Sequence, residues 1–135
     1  MKIKSLAVAA TAFLHLKGPD GTFLYEDKEP VGIDLYGPGS PVFAQIEERQ
    51  SARAIQRMKD NDGQISLAPI AQRRAEEVQD LVSLTASFRN IEVDDLTGAA
   101  LHEAVYSDPS LGWIKAQAAK FVGDWGKFSV ASTAA

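Results

Sequence analysis

The sequence predicts an α+β protein, in which a small N-terminal antiparallel β-meander is followed by a mainly helical domain of about four helices. Between residues 12 and 36, short apolar runs alternate with turn sequences, as is typical of strands joined by hairpins. From residue 41 onward, apolar residues recur at three- and four-residue steps, which is typical of amphipathic helices. A chain of 135 residues is long enough for one core, so we expect a single domain, with a helical part at 41–128 and a frayed tail at 129–135.

Three runs carry the strand prediction, at 13–16, 23–26 and 31–35. The sequence GPDG at 18–21 has the proline and glycine positions of a type I turn, so it joins the first two runs. In the third run, apolar residues alternate with polar or small ones, as in a half-buried strand. A meander pairs its strands in chain order. We therefore expect the middle run to lie between the other two, with the downstream helices covering the apolar face.

The first helix is predicted to start at Ser40, a suitable N-cap, and Pro41, which fits the first helical position. It is expected to end near residue 59. Beyond its apolar start, the helix carries arginines spaced four apart, which lie on one face: Arg49, Arg53 and Arg57. This row is either a solvated helix face or a docking face for an acidic partner, and Arg53→Ala is expected to change stability by less than about 0.5 kcal/mol.

The longest periodic segment predicts a central core helix from Leu67 to Phe88. Leu81 and Phe88 fall on its apolar stripe, and we expect both to be buried. The polar, acidic sequence at 90–97 predicts a connection, after which a shorter helix ends before residue 107.

The stretch at 106–128 predicts the last helix, because Asp108 can cap it and Pro109 fits the first helical position. Its apolar stripe consists of Leu111, Ile114, Ala118, Phe121, Val122 and Trp125. We expect Trp125, like Phe121 and Phe128, to lie in the core, so that Trp125→Ala costs roughly 3–5 kcal/mol. Trp113 falls off the stripe and is either at the edge of the core or on a contact surface.

Composition and motif spacing argue against nucleic-acid binding, membrane insertion and catalysis. The net charge of −4 argues against a general nucleic-acid binder, which needs a positive surface. No run approaches the roughly 18 apolar residues of a membrane helix. The chain has no cysteine, and its two histidines, His15 and His102, have no companion ligand at metal spacing. Because the sequence also has no nucleophile elbow and no phosphate-binding loop, we expect no enzyme activity and no cofactor or metal.

Three passages carry a family resemblance. The first contains FLHL at 13–16 and VGIDLYGPGSP at 31–41, and the second is LTASFRNIE at 84–92, expected to close the core helix. The third, AVYSDPSLGWIKAQAAKFVGDWGKF at 104–128, is the most specific. It combines an Asp-Pro helix start, Trp-Ile, a central Gln, and a Gly/Asp-rich step before a terminal aromatic residue. In this order, the passages resemble the tail assembly chaperones of long-tailed, siphovirus-like bacteriophages.

The resemblance implies a non-enzymatic role in the host cytoplasm. Such chaperones bind the long, largely helical tape measure protein during tail assembly and keep its apolar stripes from aggregating. A longer form made by ribosomal frameshifting would recruit the major tail tube protein, and homo-oligomers are expected. Trp113 and the arginine row are the candidate partner-binding residues, because each lies off an apolar stripe. The alternatives are a minor structural protein retained in the tail or head–tail junction, and a bacterial adaptor or regulator.

Overall fold

A three-stranded antiparallel sheet and four helices make up the described part of the chain, residues 1–64 and 68–130 of a computed structural model, so the predicted α+β class is confirmed. The strands are β1 (Thr11–His15), β2 (Tyr25–Glu26), β3 (Glu29–Pro30), β4 (Gly32–Tyr36) and β5 (Thr85–Arg89). The helices are α1 (Pro41–Asp60), α2 (Ile70–Leu84), α3 (Gly98–Ser107) and α4 (Gly112–Val122), with short 3₁₀ turns at Ile3–Leu6, Pro109–Leu111 and Trp125–Phe128.

The strand order of the sheet, β1-β4-β5, differs from that of the predicted meander. β1 pairs directly with β4, so the middle run at 23–26 does not lie between them. Instead, the middle run contributes β2 to a separate small hairpin with β3. The two residues joining these strands, Asp27 and Lys28, both have positive φ, as in the tight turns that favour two-residue hairpins. This turn folds β2 back against β3. The first two runs are joined by a bridge between Lys17 and Phe23 and by a hydrogen bond from Leu24 N–H to the Leu16 carbonyl oxygen.

The third strand of the sheet is β5. The sequence predicts this segment as the end of the core helix, so that prediction is wrong for Thr85–Arg89. Helix α2 ends at Leu84, and the next residue, Thr85, donates a hydrogen bond from Oγ1 to the Leu81 carbonyl oxygen. From there the chain is extended and pairs with β4, placing Phe88 opposite Ile33. Apolar spacing alone could not locate this change, because β-branched and aromatic residues satisfy a short strand as well as a helical stripe. The predicted start at Leu67 lies outside the described residues.

The core lies between one face of the sheet and the helices. Its most buried large side chains include Leu16, Ile33, Leu35 and Val105, together with Phe128. Leu81 is buried as predicted, whereas Phe88 is half-buried against the core. The predicted cap residues are confirmed: the Ser40 and Asp108 side chains accept hydrogen bonds from backbone N–H groups of the turns they precede.

The predicted core position of Trp125 is wrong, because 58% of the residue is exposed. Helix α4 ends at Val122, and Trp125 begins a separate 3₁₀ turn, so the helical stripe does not continue to it. Phe128, at the end of that turn, is fully buried and its ring lies against Gly37, while Phe121 is half-buried. Of the predicted tail, residues 131–135 lie outside the described part of the chain. Among the described helices, none has both the length and the hydropathy needed to cross a membrane.

Candidate functional site

The arginine row of α1 is part of an interhelical network rather than an open face. Arg53 Nη1 lies 2.9 and 3.0 Å from the two carboxylate oxygens of Asp80 on α2, and Arg49 Nη2 lies 2.9 Å from one of them. One turn further along α1, Arg57 Nη1 lies 2.7 Å from Glu76 Oε1. These pairs run down the antiparallel contact between α1 and α2.

The burial of these groups shows which function the network performs. The side chain of Asp80 is 11% exposed and that of Arg53 is 19% exposed. Charges this far from water are stable only if they are paired, so the arginine row joins the two helices and is not a fully solvated face. The signal was present in the sequence, because Glu76 and Asp80 are spaced four apart like the arginines. Partner binding by the row stays an untested prediction, although its charges are already engaged within the chain.

Trp113, the other predicted contact residue, lies at the edge of the core. Its side chain is half-buried and packs against the buried cluster. The structure therefore does not bring Trp113 and the arginines together on one exposed patch. Of the two roles left open by the sequence, the structure favours the core edge.

A groove with an apolar bottom lies between α1, α2 and α4. We call it the α1–α4 groove, and its volume is about 320 Å³. Its apolar lining is Phe43, Ile46, Leu81, Leu84, Ala119 and Val122, and its rim includes Glu47, Gln50, Glu77 and Lys115. Each of the three helices contributes its inward stripe, so this groove continues the core to the surface. Leu81 and Val122 fall on predicted core stripes, whereas Leu84 and Ala119 do not. The groove was not predicted, since no single stripe reveals a gap between three helices.

A second, larger groove runs between β1 and α4. We call it the β1 groove, and its volume is about 620 Å³. The strand side is lined by Phe13, Leu14, His15, Lys17 and Phe23, and the other side by Gln117, Lys120, Phe121, Asp124 and Lys127. The strand side is aromatic: the His15 ring stacks on Phe23 at a centroid distance of 4.5 Å, and His15 Nε2 lies 2.8 Å from the Leu24 carbonyl oxygen.

Two titratable groups are buried together near β5, away from both grooves. The hydroxyl of Tyr106 lies 2.8 Å from Thr85 Oγ1, and burial raises the pKa of Tyr106 to about 12, although that hydrogen bond acts in the opposite direction. The ring of His102 packs on Phe88 at 4.3 Å, and burial lowers the pKa of His102 below its ordinary value. These groups therefore stay neutral at pH 7, and they stabilise the packing of α3 on β5.

No group of metal-ligating side chains occurs among residues 1–64 and 68–130 that could hold an ion. The comparisons do not identify a family: no family model, no curated protein and no solved structure matches the chain. The candidate site therefore rests on the geometry of the chain itself, in which the two grooves are concave surfaces lined in part by apolar side chains.

Proposed function

We propose that this protein is a tail assembly chaperone of a long-tailed bacteriophage, acting in the host cytoplasm without enzymatic activity. In this role it binds the tape measure protein and keeps its apolar helical stripes from aggregating before the tail tube polymerises. A frameshifted longer form would add recruitment of the tube protein, and several copies would act along one tape measure protein.

The observation that carries the proposal is the way the three resembling passages meet in space. The passage at 31–41 contains β4, which pairs with β5 from the passage at 84–92. Phe128, which ends the third passage, lies against Gly37 of the first. The ring of Phe88 meets that of Tyr106, at the start of the last passage, at a centroid distance of 5.7 Å. The three passages that resemble the chaperone family therefore contact one another within one packed unit. This contact supports the proposal that they belong to one shared structural feature.

The α1–α4 groove is the surface we assign to the tape measure protein. Its apolar bottom suits the side chains that an amphipathic helix presents at three- and four-residue steps, as in other helix-in-groove complexes. Glu47 and Gln50 are exposed on its rim, where they would lie beside the polar flanks of such a helix. Lys115 is already paired with Glu77 at 2.8 Å, whereas Glu47 has no ion-pair partner within residues 1–64 and 68–130, so its charge favours a helix with basic flanks.

Co-expression with the tape measure protein, which the proposal expects to be a very long helical protein encoded just downstream, tests the proposal. Wild type should keep that protein in the soluble fraction. Ala119→Glu, which places a charge in the α1–α4 groove, should not, although circular dichroism should show it folded. Ala116→Glu is the matched control, because Ala116 is also exposed on α4 but is not among the groove's lining residues. The proposal would be contradicted if the partner stayed insoluble with wild type, or if Ala119→Glu and Ala116→Glu solubilised it equally.

A minor structural protein of the tail or head–tail junction is the second candidate function. The two are distinguished by mass spectrometry of purified virions, because a chaperone leaves before the particle is complete and a structural protein is retained. The bacterial adaptor is distinguished by gene context, since a chaperone gene should lie just upstream of a very long helical reading frame.

A further inference from the structure

One edge of the sheet is open to an added strand along the middle of β1. Among residues 1–64 and 68–130, no strand pairs with β1 on the side away from β4. The hydrogen bonds at the two ends of β1 define which backbone groups face which side. Leu16 N–H donates to Val31, and the Ala10 carbonyl accepts from Gly37, so even-numbered residues point towards β4. Because the direction alternates in an antiparallel pair, the N–H and C=O groups of Phe13 and His15 point to the open side.

The side chain of Gln117 already occupies the position of a strand at one end of this edge. Lys17 N–H donates to Gln117 Oε1 at 2.9 Å, and Gln117 Nε2 donates to the Lys17 carbonyl oxygen at 2.7 Å. A side-chain amide that both accepts from and donates to one residue reproduces the hydrogen bonds of a neighbouring strand. At the other end of the edge, Ala9 N–H donates to the Phe128 carbonyl oxygen at 2.8 Å. An added strand would therefore pair with the outward backbone groups of Phe13 and His15, between these two covered ends.

The β1 groove provides space and apolar contacts beside that edge. Phe23 is 50% exposed, and its ring stacks on that of His15, which in turn lies beside Phe13. Across the groove, Phe121 of α4 is half-buried. An extended segment lying along β1 would direct alternate side chains onto the aromatic outer face and into the groove.

The charge around the β1 groove selects among occupants. Lys17, Lys120 and Lys127 are exposed along it, against Asp124, although the whole chain has a net charge of −4. A second copy of this chain would bring the same lysines together across a β1–β1 pair, which disfavours it, and edge lysines are a common means of preventing such pairing. An acidic segment is attracted to the groove by its charge.

We propose that the open edge of β1 binds an extended acidic segment of another protein as an added strand, with its carboxylates beside Lys120 and Lys127 and its apolar residues against Phe13 and Phe23. This site is distinct from the α1–α4 groove, and it requires a different conformation of its ligand. It does not depend on the tape measure protein being the partner of the other groove.

The test uses a fluorescein-labelled synthetic peptide in which glutamate alternates with valine and phenylalanine. Fluorescence anisotropy measures its binding to the full chain. The double variant Lys120→Glu, Lys127→Glu should bind roughly tenfold more weakly, because each exposed charge pair contributes modestly. The matched control is Lys4→Glu, Lys59→Glu, which makes the same change in net charge at exposed lysines outside the groove and should bind like wild type.

Strand addition is separated from simple charge attraction by the peptide backbone. N-methylation at the alternate positions that face β1 should abolish binding, because it removes the ladder donors, whereas N-methylation at the intervening positions should preserve it. Amide hydrogen exchange of Phe13 and His15 should slow on binding. Failure of the peptide to bind, equal binding of a lysine-containing peptide, or indifference to N-methylation would overturn the proposal, as would slowed exchange confined to the α1–α4 groove.

Discussion

Arg53 of α1 and Asp80 of α2 form a two-point contact, in which one guanidinium nitrogen lies 2.9 and 3.0 Å from the two carboxylate oxygens. With Arg49 on the same carboxylate and Arg57 on Glu76, this contact joins two long helices whose connection passes through residues 61–69. A row of arginines that looks like a binding face in the sequence is thus a structural element within the chain.

Removal of either partner should destabilise the protein. Asp80→Ala leaves two arginines without their shared acceptor, and Arg53→Ala leaves a nearly buried carboxylate with fewer donors, so each should cost about 1.5–3 kcal/mol. This replaces the expectation from sequence of less than about 0.5 kcal/mol for Arg53→Ala. Urea denaturation measures the free energy of unfolding of both variants. Glu48→Ala, an exposed change on the same helix, should stay within about 0.5 kcal/mol of wild type. Midpoints for Arg53→Ala and Glu48→Ala that coincide would refute the structural role.

The contact between Gly37 and Phe128 should not tolerate a side chain on the glycine. A Cβ at Gly37 would overlap the fully buried ring of Phe128, so Gly37→Ala should cost about 1–3 kcal/mol. Gly112→Ala is the control, because a Cβ there meets nothing within 4 Å and the residue lies at the start of α4, where alanine favours the helix. Thermal denaturation should place Gly112→Ala at or above wild type; a lower melting temperature for Gly112→Ala than for Gly37→Ala would be inconsistent with this packing.

The two aromatic residues of the Trp125–Phe128 turn should differ sharply in their effect on stability. Phe128→Ala should cost roughly 3–5 kcal/mol, since it removes a fully buried ring and leaves a cavity. Trp125→Ala should cost under about 1 kcal/mol, because most of that side chain is exposed. Urea denaturation of the two variants under identical conditions measures both free energies of unfolding. A larger loss of stability for Trp125→Ala than for Phe128→Ala would show that Trp125 lies in the core.

His102 should make the protein less stable in mild acid. Burial lowers its pKa in the folded state, so the unfolded chain binds the proton more readily. Stability is therefore complete above the ordinary histidine pKa of 6.5 and falls as the pH drops below it towards the folded-state value. The ring packed on His102 is that of Phe88 of β5, which does not titrate.

The variant His102→Leu isolates this effect, because leucine fills similar space and cannot titrate. The free energy of unfolding should fall more steeply for wild type than for His102→Leu between about pH 7 and pH 5. Parallel pH profiles would show that burial of His102 does not disfavour its charged form.

The sequence was informative wherever one local rule decided the structure. Ser40 and Asp108 mark helix starts because their oxygens satisfy nearby N–H groups, a relation that spans only a few residues. The end of α2 was different. Thr85 to Arg89 form a strand because β4, about fifty residues earlier, offers an open edge, and no local pattern contains that information.

The candidate site also shows this difference between what local sequence and what long-range contacts determine. The spacing of Arg49, Arg53 and Arg57 placed them on one face, as observed, but whether that face was open depended on where Asp80 would lie. The two grooves are gaps between elements distant in sequence, such as β1 and α4. They depend on how side chains fill the space between those elements, so they became visible only in the structure.

The most direct test of the chaperone proposal is the light scattering of the purified tape measure protein after dilution from denaturant, in the presence of an equimolar amount of this chain. Wild type should suppress the rise in scattering, Ala116→Glu should do the same, and Ala119→Glu should not. Scattering that rises equally with and without the wild-type protein would contradict the account.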